Sequence, residues 1–365
     1  MRTIEFNKAN LSAFQDPNFV NRLEEDNLEN ELQEEFLNYA SADYILPINN
    51  FTSALHLCMC AIDLKRGDKV ICSVNSSPEF PEVVRHFDAE PIFIDIKPNS
   101  SELDFEALEE ILSANKSKKL KAIIVSHVAG EILDIGKLKD IIKDRNFAII
   151  EDATNSIGLD REKLDYISDI KVFSFDKKIS NMAIVATDNE LYYNRAKLLS
   201  NHGIVMEEDL HLNYLYDVID IGCQYTVPKM DLIYSMDSLE KVSNHLNIRR
   251  KIAKQYIENF KHTRHIEVAG FQSNHSYAQF IIRVDKNRDG FAKELKKVGI
   301  ETSLHYIPLH LLSYYKTKYN LKINSFPNAL RNYQRVLSLP IHSMLTQDDV
   351  SYIIKNVNLI ANNRD

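Results

Sequence analysis

The chain is expected to fold as an α/β protein, with a mostly parallel sheet covered by helices on both faces and a smaller α+β domain behind it. Two observations lead there. Runs such as Ala122-Ile123-Ile124-Val125 and Ala148-Ile149-Ile150 are too uniformly apolar for strands with one wet face, so both faces must be buried. These runs alternate with stretches whose apolar residues recur at helical spacing, which is the βαβ rhythm of a parallel sheet. At 365 residues the chain can bury a large core without staples, and it divides into a large domain over residues 1-238 and a linker helix with a small domain over 239-365.

Leu32 to Tyr39 is amphipathic at helical spacing, Tyr44 to Ile48 is a short apolar strand, and Ser53 to Leu64 returns to a helix through Ala54, Leu55, Leu57, Cys58 and Ala61. Gly67-Asp68 punctuates the chain. Lys69 to Ser73 and Glu90 to Ile96 read as strands, Asp104 to Leu112 as a helix, Lys121 to Ser126 as a buried strand, Gly136 to Asp144 as a helix and Asn146 to Glu151 as another buried strand. Leu239 to Phe260 reads as one long amphipathic helix linking the domains, with Arg249, Arg250, Lys251 and Lys254 on its polar face. Beyond it, His265 to Val268 and Tyr277 to Val284 are strand-like, Gly290 to Val298 is helical, Glu301 to Tyr306 is extended, and a helix from Thr346 to Ala361 closes the chain.

Composition excludes several classes. Cys58, Cys60, Cys72 and Cys223 lie in apolar contexts without paired CxxC spacing, which argues for core packing in a reducing compartment and against a structural zinc. No apolar run reaches the roughly 20 residues that span a bilayer, and the N-terminus lacks a signal-peptide core, so a cytoplasmic protein is expected. The net charge of -8 is spread along the chain, and its lysines and arginines are not interleaved with aromatics as in a nucleic-acid footprint. The histidines of His305-Tyr306-Ile307-Pro308-Leu309-His310 have no acid or cysteine at ligand spacing, so no metal is assigned to them.

The chemistry concentrates where a buried strand ends in Glu151-Asp152 and the next segments carry Phe173-Ser174-Phe175-Asp176-Lys177-Lys178. An acid at a strand end, followed by a hydroxyl and a lysine, can hold pyridoxal phosphate: the acid for the pyridine nitrogen, the hydroxyl for the phosphate, the amine for covalent attachment. Ligands of a parallel sheet belong at the carboxyl ends of its strands, where these residues fall.

Across nearly its whole length the sequence resembles the DegT family of sugar aminotransferases, fold type I enzymes that use pyridoxal phosphate. The segments that carry the likeness are Asn49-Asn50-Phe51-Thr52-Ser53-Ala54-Leu55-His56-Leu57, Gly67-Asp68-Lys69-Val70-Ile71, Pro91-Ile92-Phe93-Ile94-Asp95, Val125-Ser126-His127-Val128-Ala129-Gly130, Ile150-Glu151-Asp152-Ala153, His202-Gly203, the His305 to His310 stretch and Leu337-Ser338-Leu339-Pro340. The resemblance implies transfer of an amino group, typically from glutamate, to a nucleotide-linked keto-sugar, in a homodimer whose sites are completed across the interface.

Carried over residue by residue, Asp152 pairs with the pyridine nitrogen and Asn155 stands near the ring. Ser174, Thr52 and Ser53 supply hydroxyls and backbone donors for the phosphate, and Gln224 lies in the loop lent by the neighbouring subunit. His305, Tyr306 and His310 shape the substrate mouth. The attachment lysine is placed at Lys178 ahead of Lys177, because the family position holds Ile179 and the loop after it is shortened; a solvated surface pair is the other reading of these lysines.

Several positions depart from the pattern. Phe51 replaces a glycine of the phosphate turn, Ser77 stands where an aromatic stacks on the ring, with Phe80 as a substitute only in a rebuilt loop, and Thr226 stands where the partner's loop carries arginine. Two functions therefore remain open: an aminotransferase with Lys178 and Asp152 catalytic, or a catalytically silent homologue that binds a sugar nucleotide or scaffolds an active paralogue. A dehydratase with histidine in place of the lysine is disfavoured, since no histidine lies between Phe173 and Met182.

Overall fold

A computed structural model of the chain describes residues 2–8, 11–114, 118–142, 147–159, 168–175, 179–206 and 215–364. The central sheet is formed by β1 (Tyr44–Ile48), β2 (Lys69–Ser73), β3 (Glu90–Ile94), β4 (Leu120–Ser126), β5 (Ala148–Asp152), β6 (Ile170–Ser174) and β7 (Ala183–Thr187), in the order β1-β7-β6-β5-β4-β2-β3. The run from β6 through β3 is parallel, and β7 is antiparallel to both its neighbours.

Its first helices are α1 (Phe19–Arg22), α2 (Leu28–Ala40), α3 (Phe51–Ala61), α4 (Glu79–Arg85), α5 (Phe105–Ala114), α6 (Ile135–Ile142) and α7 (Glu190–Leu199). Because successive strand side chains point to opposite faces, each apolar run feeds two cores. Ala122 and Ile124 of β4 pack with Ala54 and Leu57 of α3, while Ile123 and Val125 pack with Leu108 of α5 and Leu138 of α6. Cys58 and Cys72 are buried members of the first core, and all four cysteines are unpaired. A short hairpin, β8 (Ile204–Met206) with β9 (Tyr216–Val218), follows α7.

The expected linker helix is two helices, α8 (Lys229–Glu240) and α9 (Val242–Phe260), parted at Lys241 with φ -93 and ψ -6. The break has a packing cause. Leu232, Ile233, Met236 and Leu239 of α8 face the core beneath α2, whereas Ile252, Ala253, Tyr256 and Phe260 of α9 face the second unit, and one straight helix would not serve both stripes.

That second unit joins an antiparallel sheet of β10 (Ile266–Glu267), β11 (Phe280–Val284) and β12 (Val336–Leu339) to α10 (Arg288–Lys297) and α13 (Gln347–Asn362). The lesser helices α11 (Ser313–Lys318) and α12 (Pro327–Arg335) lie between α10 and α13 in the chain. Tyr277, expected in a strand, has φ 48 and lies outside β11. The Glu301 to Tyr306 stretch pairs with β12 only through the Ser303–Ser338 bridge. The N-terminal segment, expected with the large domain, instead docks on the second unit: Ile4 is buried in its core, and its backbone bonds to Gly299 and Glu301. Among the described residues no helix is long and apolar enough to cross a membrane.

One buried charge ties the sheet to its cover. Lys171, fully buried in β6, donates from Nζ to the carbonyls of Ala40 at 3.1 Å and Ser41 at 2.7 Å, at the C-terminus of α2. A helix C-terminus leaves carbonyls without intrahelical donors and carries partial negative charge, so an ammonium is the fitting partner. Lys171→Met removes that donor while keeping the stem, and is expected to lower stability by about 2 kcal/mol, read as a reduced urea midpoint at unchanged slope.

Candidate active site

The parallel register brings the carboxyl ends of β4, β5 and β6 together, with Ser126 opposite Asp152 and Asp152 opposite Val172. A cavity of about 550 Å³ opens there. Asp152, Thr154, Asn155 and Ser174 line it from the sheet, Phe51, Ser77 and Glu79 from the turns leading into α3 and α4, and His305 and Tyr306 from the second unit. His245 and Arg249 of α9 and the N-terminal Phe6, Asn7 and Lys8 complete other parts of the wall.

Asp152 is the most constrained of these groups. Ser126 Oγ donates to its Oδ2 at 3.0 Å, and the Thr154 backbone N–H donates to its Oδ1 at 3.2 Å. Burial pushes its pKa up, opposed by the Thr154 and Ser126 hydrogen bonds and by His127. A carboxylate in this position gains most from a cationic hydrogen-bond donor entering the cavity, since the donor would offset the burial cost. Beside it, Ser174 donates its backbone N–H to Thr154 Oγ1 at 3.0 Å, and the two hydroxyls lie 3.3 Å apart.

Behind Asp152 lies a fully satisfied polar layer. Leu133 N–H donates to His127 Nδ1 at 3.1 Å, which leaves Nε2 to carry the proton and donate it to Glu151 Oε1 at 2.7 Å. The Ser168 hydroxyl donates to the other Glu151 oxygen. Asn155 Nδ2 donates to the His127 carbonyl at 3.0 Å, which fixes the side chain. The strand end that presents Asp152 is therefore held from behind by bonds among buried groups, a rigid mounting for an acid that faces the cavity.

In the opposite wall, Tyr306 N–H donates to Asn75 Oδ1 at 3.3 Å, and His305 Nδ1 is hydrogen-bonded to Ser338 Oγ at 2.9 Å. Burial, then the charges of Asp152 and Glu79, push the Tyr306 hydroxyl up. Arg249, expected on the polar face of a linker helix, lines the cavity and donates from Nε to the Ser276 carbonyl at 3.1 Å; burial and then Arg250 hold its guanidinium down at about 10.

The structure thus brings Asp152, Asn155, Ser174, His305 and Tyr306 to one cavity, and Thr52, Ser53, Gln224 and His310 are not among the residues that line it. Thr52 Oγ1 donates to Glu79 Oε1 at 3.2 Å, and Ser53 N–H is taken by the N-cap oxygen of Asn50 at 2.8 Å. Gln224 is exposed, in a bridge with Asn201. His310 is fully buried away from the cavity, where Nε2 donates to the Ile323 carbonyl at 3.1 Å and the ring packs on Phe326. Phe80 cannot stack on a ligand, since it is buried in the core against Phe51. Phe51 enters α3 as an ordinary helical residue, so a glycine's freedom is not required there. Lys177 and Lys178 lie outside the described residues.

Thr154, Glu79, His245 and Arg249 were not singled out as site residues from the sequence. Thr154 alone carried a usable signal, as the hydroxyl two residues after Asp152. The donor set fits the ring of pyridoxal phosphate, with a buried acid for the protonated nitrogen and Asn155 and Thr154 beside it, while Thr52 Oγ1 in the first turn of α3 already donates to the Glu79 carboxylate.

The imidazoles give the molecule an acid limit. Burial holds His305 down from 6.5 to about 4, and burial followed by Arg250 does the same for His275. Between those values the unfolded chain binds protons that the folded one refuses, so stability falls as pH drops from about 6.5 to 4. Each group accounts for about 2 kcal/mol after allowance for solvent screening. His305→Gln is expected to flatten this loss, measured as melting temperature against pH.

Comparison with known proteins agrees with this architecture. The chain is 30% identical over 350 residues to the uncharacterized protein MJ1066 of Methanocaldococcus jannaschii, covering 91% of this chain and 90% of that protein. It is 25% identical to the spore coat polysaccharide biosynthesis protein SpsC of Bacillus subtilis, covering 92% and 90%. Among solved structures, the putative sugar aminotransferase Spr1654 of Streptococcus pneumoniae superposes with a TM-score of 0.89 at 22% identity over 99% of this chain and 98% of that one in its apo form, and has also been solved in PLP and PMP forms. Helicobacter pylori PseC, an aminotransferase involved in pseudoaminic acid biosynthesis, superposes at 0.84 and 20% identity over 92% of each chain. The family profile that matches, over residues 7–358, is that of the DegT/DnrJ/EryC1/StrS aminotransferases, and the chain belongs to that family.

Proposed function

We propose that this protein uses pyridoxal phosphate to transfer an amino group, with glutamate as donor, to the keto carbon of a nucleotide-linked sugar for surface polysaccharide or glycan synthesis. The observation that carries the reading is Asp152, a buried carboxylate at the end of β5, braced from behind and facing a cavity large enough for a sugar. The cofactor supplies an electron sink. Asp152 would keep the proton on its ring nitrogen, Asn155 and Thr154 would fix the ring edge, and Ser174 would donate toward its phosphate. Lys178 Nζ is the proposed anchor and the base that carries a proton during transfer. His305 and Tyr306 would shape the sugar site, and the relative named for spore coat polysaccharide synthesis supports the substrate class. Four unpaired cysteines suit a cytoplasmic enzyme.

A homodimer accompanies the proposal. Val205, Met206, Tyr216, Val218, Ile219 and Ile221 are exposed on or beside the β8–β9 hairpin, close in sequence to Gln224. An apolar patch of this kind marks an association surface, and a partner covering it would bring that loop toward a second site.

A second reading, the catalytically silent sugar-nucleotide binder, is favoured by one observation: Glu79 accepts hydrogen bonds from Thr52 and Ser77 where a cofactor phosphate would be expected.

Absorbance spectra of protein dialysed against pyridoxal phosphate, before and after borohydride, separate the two. A visible band that borohydride traps, and that disappears only in Lys178→Ala and not in Lys177→Ala, supports the aminotransferase; no band in any form supports the silent homologue. Asp152→Asn is expected to lower the transfer rate about 100-fold or more while the protein still takes up cofactor, measured by single-turnover kinetics. Val218→Asp with Ile221→Asp is expected to yield monomers in sedimentation velocity.

A further inference from the structure

The N-terminus of α3 opens on the cavity through Phe51. A helix start with a hydroxyl in its first turn is a ready seat for a phosphate, since free backbone N–H groups and the helix dipole both favour an anion. Here the protein's own oxygens take two of that turn's donors. Asn50 Oδ1 accepts the Ser53 N–H at 2.8 Å. Thr52 Oγ1 donates to Glu79 Oε1 at 3.2 Å, and Ser77 Oγ donates to Glu79 Oε2 at 2.8 Å, so both carboxylate oxygens are held. Glu79 is half-buried and lines the same cavity as Asp152.

We infer that Glu79 is an internal anion that occupies the phosphate seat at the start of α3 and competes with the phosphate of any ligand entering there. This rests on the cofactor reading above and goes beyond it. A phosphate carries close to two negative charges at neutral pH. It could take Thr52 and the first-turn N–H groups only after Glu79 gave up both hydroxyls and moved away. Phosphorylation should therefore improve binding of a pyridoxal ring far less here than at an open helix start. Ser77 serves the same contact, because a large side chain at that position would not supply the second hydroxyl that holds Glu79.

The test compares pyridoxal phosphate with pyridoxal, which lacks the phosphate, by equilibrium dialysis against the full-length wild type, Glu79→Gln and Glu79→Ala, each confirmed as folded by its melting transition. The expected result is that the preference for the phosphorylated form, taken as the ratio of the two dissociation constants, rises at least tenfold in both variants while pyridoxal affinity is unchanged. An equal ratio in all three proteins overturns the role of Glu79 and leaves the cofactor reading standing. If neither compound binds any of the three, the cofactor reading fails and takes this inference with it.

Discussion

The site depends on one constraint: a carboxylate buried at the end of a parallel strand must be matched on every side. Asp152 receives Ser126 Oγ and the Thr154 backbone on the protein side, and faces the cavity on the other. The residue before it, Glu151, points to the opposite face, as strand geometry requires, and is matched there by His127 and Ser168. Two successive acids on one buried strand can be accommodated because the alternation sends them to different partners. The same alternation fixes register: a one-residue slip of β5 would carry Asp152 into the polar layer and Glu151 into the cavity, breaking both sets of bonds.

This constraint explains which parts of the molecule could be read in advance. The parallel strands were legible because uniformly apolar runs have few alternatives; β2 and β4 lie at or within a residue of where the pattern put them. The division between α8 and α9 was not legible, because both halves keep helical spacing and only the identity of the core each one meets separates them. The placement of Ile4 in the second unit was hidden for a related reason, since its partners Gly299 and Glu301 lie almost the whole chain away.

The candidate site divides in the same manner. Asp152, Asn155 and Ser174 were readable as local motifs at strand ends, and the structure groups them at one cavity. Arg249 reads as a surface charge on a helical wheel, yet α9, once parted from α8 at Lys241, carries it inward toward the Ser276 carbonyl. His310 shows the opposite case. Its motif spacing suggests a ligand contact, but the chain between α11 and α12 closes over it and uses Nε2 for the Ile323 carbonyl. Spacing along a chain carries chemistry only when one rigid element holds the spaced residues, as β5 does and the loops after Tyr306 do not.

The cavity's electrostatics follow from these placements. Its carboxylates are Asp152 at the end of β5, Glu79 at the start of α4 and Asp237 of α8, and Lys8, His245 and Arg249 line it as well. Tyr306, which feels Asp152 and Glu79, is pushed up, whereas His245 is held down by burial and then by Arg249 and Lys241, with Asp237 opposing. A protonated ring nitrogen entering beside Asp152 would meet favourable charge. An anion entering at the start of α3 would meet the Glu79 carboxylate there. The Asp152 end of the cavity is braced by the buried layer behind β5, whereas the start of α3 rests on bonds among three side chains, Thr52, Ser77 and Glu79, that lie outside the sheet.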